Sequence, residues 1–209
     1  MAITASGAID LNSIHVEAGG TSGTTCSMND TDILDIGDFS FNTSRGLNAW
    51  YGKKAKWVIT MTTGQTTVNT AGSDYVAANT ERYRGYNGSS GTRPSGTTYG
   101  SMNDYQDADY LNNKTIVSLE VNGSSSATQP TTTVMFLQCA DGCSNSDAAF
   151  KTIKVGGSTF ARSAATYSDG SIESWSWTVG NQYVPNNTTG ALTPMNSPGA
   201  NTTVTFIGQ

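Results

Sequence analysis

An all-β fold, an antiparallel β-sandwich preceded by an extended N-terminal segment of short strands, is what this 209-residue sequence predicts. Three observations carry that expectation. Short segments alternate apolar and polar residues with period two, Gly/Ser/Asn-rich loops separate them, and no segment keeps helical spacing over three turns. Without helical crossovers between the strands, the sheets are expected to be antiparallel and packed face to face.

Seven segments read as strands: KWVITM (56–61), KTIVSLEV (114–121), TTTVMFLQ (131–138), FKTIKV (150–155), STFARSA (158–164), ESWSWTV (173–179) and TTVTFI (202–207). In KTIVSLEV, Thr115, Val117, Leu119 and Val121 share one face, opposite Lys114, Ile116, Ser118 and Glu120, the alternation of a half-buried antiparallel strand. TTTVMFLQ is apolar on both faces at its centre, which places it mid-sheet. Between FKTIKV and STFARSA stands Gly156-Gly157, a pair suited to the two left-handed positions of a type I′ hairpin turn. Trp175, Trp177 and Val179 share a face by the two-residue period. That face is either a core slab against an opposing sheet or a platform for stacking glycans.

Residues 1–54 read differently from residues 55–209. IDLN (9–12), CSMN (26–29) and FSFN (39–42) share a short pattern ending in Asn, and GSMND at 100–104 repeats the CSMND of 26–30. An Asn closing a short extended stretch fits an Asx-turn. Strandlets of this length cannot close a core alone, so the segment is expected to dock on its own sandwich or on neighbouring chains by strand addition. Its apolar contacts would come from Ile9, Leu11, Ile14, Val16, Met28, Ile33, Phe39, Phe41, Trp50 and Tyr51.

Composition narrows the partners. Only 13% of residues are charged and the formal net charge is −5, with no basic stripe to neutralise phosphates. Nucleic acid and anionic membranes are therefore disfavoured. The start MAITASG lacks a basic stretch followed by a long apolar one, and no run of about 18 apolar residues occurs, so synthesis in a cytoplasm without a signal peptide or membrane insertion is expected. The Tyr- and Arg-rich stretch 75–110 offers an interaction surface through Tyr83, Arg84, Tyr86, Arg93, Tyr99, Tyr105 and Tyr110, because both residue types bury large area while keeping a polar tip. The same residues would equally cover a sandwich edge or contact a receptor glycan.

Catalytic and metal chemistry find little purchase. His15 is the sole histidine, on IHVEAG, where a strand residue facing solvent or an interface is expected, and there is no GxSxG. A glycosidase needs only two carboxylates, but most of the sixteen acids lie in Asn/Asp turn stretches. Asp30, Asp32, Asp35 and Asp38 crowd one stretch, yet the fifth position counted from Asp30 is Leu34, which breaks an EF-hand loop. Asp104, Asp107 and Asp109 form a second crowd, and Asp141, Asn145 and Asp147 a third, each readable as solvated turn acids. Of the three cysteines, Cys26 is expected free in a strand. Cys139 and Cys143, spaced as CADGC, are either a small-loop disulfide in an oxidising environment or two ordinary thiols. No cofactor is expected.

GAIDLNSIHVEAGG, NDTDI and FSFNTSRGLNAWYGKKA together resemble the N-terminal signature of many tailed-bacteriophage virion structural proteins, in which a phrase like SGAISLSDI precedes ISLNDTDVR and then SFSxFYGKS. Ser6-Gly7-Ala8-Ile9-Asp10-Leu11, Asn29-Asp30-Thr31-Asp32-Ile33 and Trp50-Tyr51-Gly52-Lys53-Lys54 occupy those positions. From YRGYNG through NKTIVSLEV, FKTIKVGGSTFA and ESWSWTV to TTVTFIG, the remainder is similar to a β-module of phage fibre and tail proteins. The long loop at 87–98 and the insertion ADGCSNSDAA depart from that pattern. The resemblance implies a non-enzymatic virion component, a tail, fibre, neck or surface-decoration protein. Its implied partners are other virion proteins and further copies of itself, a trimer favoured, with a host surface glycan as a further candidate. A carbohydrate-binding β-sandwich module is the alternative reading.

Overall fold

The structure, a computed structural model, describes residues 8–18, 21–36, 46–50, 56–70, 79–91, 96–108, 110–124, 133–180 and 192–208. In chain order it contains α1 (Leu11–Glu17), α2 (Thr31–Ile36), a 3-10 turn (Leu47–Trp50), β1 (Lys56–Thr62), β2 (Gly64–Thr70), β3 (Asn79–Asn87), β4 (Ser101–Met102) and β5 (Gln106–Asp107). There follow β6 (Lys114–Ser124), β7 (Thr133–Ala140), β8 (Thr152–Val155), β9 (Ser158–Ala161), a 3-10 turn (Arg162–Ala164), β10 (Thr166–Ser168), β11 (Ile172–Gly180) and β12 (Asn201–Ile207).

Two antiparallel sheets form the sandwich: β4-β1-β12-β8-β9 and β10-β11-β7-β6-β3-β2, with β5 added on β6. Alternation sets the inward faces. β1 buries Trp57, Ile59 and Met61, β12 buries Val204 and Phe206, and β11 buries Trp175 and Trp177. Rings bridge the two sheets. Trp57 stacks on Phe206 with centroids 4.8 Å apart, Phe206 meets Phe150 edge-on at 5.3 Å, and Phe150 meets Trp175 edge-on at 5.4 Å. Each indole N–H of this core has an acceptor: Trp57 donates to Asp104 at 2.9 Å, Trp175 to Asn145 at 2.9 Å and Trp177 to the Ala161 carbonyl at 2.7 Å. The tryptophan face of β11 is therefore core slab.

All seven expected strands are present, with β7 central between β11 and β6. The Gly156-Gly157 hairpin joins β8 to β9 with φ of 53° and 89°, both left-handed as the I′ turn demands. Two details differ from the sequence reading. STFARSA stops being a strand at Ala161: the Arg162 N–H still bonds the Lys151 carbonyl at 2.8 Å in line with the ladder, and the Arg162 carbonyl then accepts the Ala165 N–H at 3.0 Å to close a 3-10 turn. In β6 the pairing with β7 slips between Ile116 and Ser118, a bulge that moves Ile116 onto the core face beside Leu119 and Val121. The opposite face is buried too: Ser118 and Glu120 are both fully covered.

The two described N-terminal strandlets are not strands. IDLN enters α1, where Asp10 acts as N-cap, its carboxylate accepting the Ser13 N–H at 2.7 Å. Leu11, Ile14 and Ala18 then follow at helical spacings of three and four, and all three contribute to one cluster. CSMN forms a turn that leads into α2, and FSFN, with Phe39 and Phe41, lies outside the described residues. Ile14, Ile33, Ile36 and Trp50 are fully buried in a cluster of their own, with Ile9, Leu11 and Met28 packed against it, and the Trp50 indole donates to the Ile33 carbonyl at 3.3 Å. Strand addition by this segment thus has no described strand to donate, and the segment does close a small core. Among the described residues that cluster shares no member with the sandwich core, which draws on residues from Trp57 onward.

Candidate interaction surface

The N-terminal set is largely used internally. Ile14, Ile33 and Trp50 are fully buried, Ile9, Leu11 and Met28 are half-buried, and among the described residues of the set only Val16, 40% exposed on α1, presents apolar surface outward. Tyr51 lies outside the described residues. His15 sits on α1 rather than on a strand, half-buried, with Nε2 2.9 Å from the Thr24 hydroxyl. Cys26, expected in a strand, lies in the irregular stretch before α2.

The Tyr/Arg set does not form an exposed surface. Tyr83, Arg84, Tyr99 and Tyr110 are buried, Tyr86 is half-buried, Arg93 lies outside the described residues, and only Tyr105 stands out at 48% exposure. The register explains the arrangement. Gly85 of β3 faces Glu120 of β6, so Glu120, Tyr83 and Asn87 share the face of the sheet turned away from the core. The loop after β3 folds over that face. Asn87 and Tyr99 exchange backbone bonds of 2.9 and 3.1 Å, the Asn87 side-chain amide donates to the Thr97 carbonyl at 2.6 Å, and the Tyr99 hydroxyl donates to the buried Glu120 carboxylate. A side chain at Gly91 would collide with the Asn87 amide oxygen, so only glycine lets the loop lie this close. Tyr83 likewise donates to Glu81.

Burial first, and the Glu120 charge second, push the Tyr99 phenol far above its ordinary value of 10.0, so it stays a neutral donor to that carboxylate. On the core side of β3, Arg84 donates twice to the Gln65 side-chain oxygen, at 3.0 and 2.8 Å, and burial ahead of the neighbouring Arg82 lowers its pKa. Chemically, the network holds a loop down. The described ends of the long 87–98 loop are latched by Asn87 and by Tyr99, one of the residues the sequence offered as a docking surface.

The described acids of the remaining polar clusters serve as turn and cap groups. Asp30 accepts the Ser27 N–H at 2.8 Å, Asp107 accepts the Tyr110 N–H at 3.1 Å, and Asp147 accepts the Ser144 hydroxyl at 2.7 Å. Among the described residues no three acidic, histidine or cysteine groups stand together as metal ligands. Cys139 and Cys143 are free, buried thiols, and their mutual hydrogen bond, with burial, drives the Cys139 pKa up. No described helix is long and apolar enough to cross a membrane.

Sequence reasoning missed one concave feature. A groove of about 730 Å³ runs between β9 and the β7–β11 pair, lined by Phe136 and Phe160, by the nearly buried Trp177 of the core face, and by the hydroxyls of Ser158, Ser176 and Thr178. Its described lining carries no charged side chain. The lining comes from separate strands and from Thr193-Pro194, which no single stretch of sequence displays together.

Compared with known protein families, curated proteins and solved structures, the chain finds no match.

Proposed function

We propose that the chain is a non-enzymatic structural component of a phage particle, a tail, fibre, neck or surface-decoration protein held by residues 1–54 and presenting residues 55–209. The observation that carries this reading is a convergence. The three phrases that resemble the virion signature supply Ile9 and Leu11, Ile33, and Trp50, and these meet in the one small N-terminal cluster. The signature residues thus build a unit, and that unit is separate from the sandwich core. Its helices of seven and six residues are below the length at which helices hold by themselves, so burial against a larger particle protein would stabilise it. Immunogold labelling of purified particles of the encoding phage, with antibody to the sandwich, tests the reading. Label on the particle that disappears with Ile33→Asp is the expected result. Chain found only in the soluble fraction of the lysate would contradict it.

The groove favours a second reading, a carbohydrate-binding module. Aromatic rings beside uncharged hydroxyls suit the apolar face and the hydroxyl rim of a neutral sugar. Trp177 lines the groove, so a glycan panel read by indole fluorescence is the check, and a flat response throughout would count against it.

A further inference from the structure

Among the described residues the two sheet orders end in four strands, and these are unequal, the two-residue β5 being a further addition on β6. In the first sheet the edges are β4, two residues long, and β9, four residues long. In the second they are β10, three residues long, and β2, seven residues long. Natural sheets protect an open edge by keeping it short or by placing Lys, Pro or a bulge on it. Three of these edges are short, and β9 is cut off further by the turn at Arg162. β2, Gly-Gln-Thr-Thr-Val-Asn-Thr, has none of these protections: no charge, no proline and an unbroken register with β3 from Gly64↔Gly85 to Thr70↔Asn79.

We propose that β2 is a self-pairing edge through which two copies of this chain join antiparallel about a two-fold axis, running the β2-containing sheets of both copies into one. The sequence of β2 suits this occupant in particular. Pairing a strand with its own copy about Thr67 sets Thr67 opposite Thr67, Thr66 opposite Val68, and Gln65 opposite Asn69. A charged residue near the axis would meet its own like charge, and β2 has none. The strand is also held ready. A single residue, Thr63, joins it to β1, and Thr63 is pinned to the other sheet by its N–H to the Ala200 carbonyl at 2.9 Å and its hydroxyl to that of Thr202 at 2.7 Å. Arg84 fixes Gln65 from the neighbouring strand. A strand already ordered loses little freedom when a second strand is added. Among the described residues, none pairs with the open side of β2. The pairing belongs to the sandwich alone and does not depend on the N-terminal unit or on particle attachment.

Size-exclusion chromatography with light scattering on the full chain is the test, across a concentration series. The expected molar mass at high concentration is twice the 21.9 kDa of one chain. Thr67→Lys, at an exposed position, should give single mass with an unchanged far-UV spectrum, because two ammonium groups would face each other across the axis. Thr67→Glu should do the same. An equimolar mixture of the two should recover the doubled mass, an outcome that loss of folding cannot produce. Val58→Lys, exposed on β1 and outside the pairing, should keep the doubled mass. Single mass for the unaltered chain at every concentration, or a dimer or trimer that Thr67→Lys leaves intact, would overturn the proposal.

Discussion

Ser27-Met28-Asn29-Asp30 and Ser101-Met102-Asn103-Asp104 are the same four residues in two different structures. In the first, Asp30 closes a turn on Ser27, its N–H bonding the Ser27 carbonyl at 3.0 Å, and its own carbonyl accepts the Leu34 N–H at 2.9 Å to start α2. In the second, Ser101 and Met102 pair with Thr62 and Met61 as β4. There Asn103 bonds Thr60 through both side chain and backbone, and Asp104 accepts the Trp57 indole. The four residues offer the same turn and cap groups to both places, and the neighbour decides: a following helix in one, a sheet edge in the other. The same contrast runs through the whole chain. The N-terminal unit gathers residues 9–50 around four buried side chains, whereas the sandwich gathers strands from Lys56 to Ile207 around a core of linked rings.

The contrast sharpens most under truncation of one large ring in each core. Trp175→Ala should cost the sandwich about 3–5 kcal/mol, because it removes a fully buried indole that packs on Phe150 and Tyr167 and holds Asn145. Urea unfolding followed by near-UV dichroism would measure it. Trp50→Ala should instead remove the far-UV helical contribution while leaving the sandwich's near-UV signal in place. Loss of both signals together would break the division into two cores. Tyr99→Phe should follow at about 1–3 kcal/mol, since it takes a donor from the buried Glu120 carboxylate, and it should open the 87–98 loop to protease before the strands.

Alkaline pH should act on the sandwich. Burial raises the pKa values of Tyr99 and Tyr86, and burial with the Glu173 contact pushes Tyr167 up to about 12, all from an ordinary 10.0. Cys139 is raised from 9.0. Above these ordinary values the unfolded chain releases protons that the folded chain keeps, so the native state binds more protons and stability falls as pH rises. Melting temperature should hold steady below about pH 9 and drop progressively above it. The smallest effect belongs to the N-terminal unit: Asp10→Ala should cost α1 about 1 kcal/mol, read as reduced helix content with the sandwich midpoint unchanged.

Strands with strong period-two patterns were legible in the sequence, as was the Gly156-Gly157 turn, because each signal is local. β2 and β3 were not. GQTTVNT and NTERYRGYN carry few apolar residues, and their pairing is fixed by β6, distant in sequence. The helices of the N-terminal unit were hidden because α1 is two turns long and its IDLN and IHVE stretches also alternate, so the period was ambiguous; the Asp10 cap, three residues before Ser13, was the signal that separates the two. The Tyr/Arg stretch was misleading as a surface because composition reports residue type and not which side of a strand it takes. Tyr83 and Arg84 are adjacent and lie on opposite faces of β3, both covered.

Native-state hydrogen exchange read by peptide mass spectrometry tests the two-core organisation most directly. Amides of β6, β7 and β11 should exchange only with global unfolding, while those of α1 and α2 should exchange orders of magnitude faster, through an opening of the small cluster alone. Equal protection across Leu11–Ile36 and the central strands would contradict the account, because it would make the N-terminal residues part of one cooperative core.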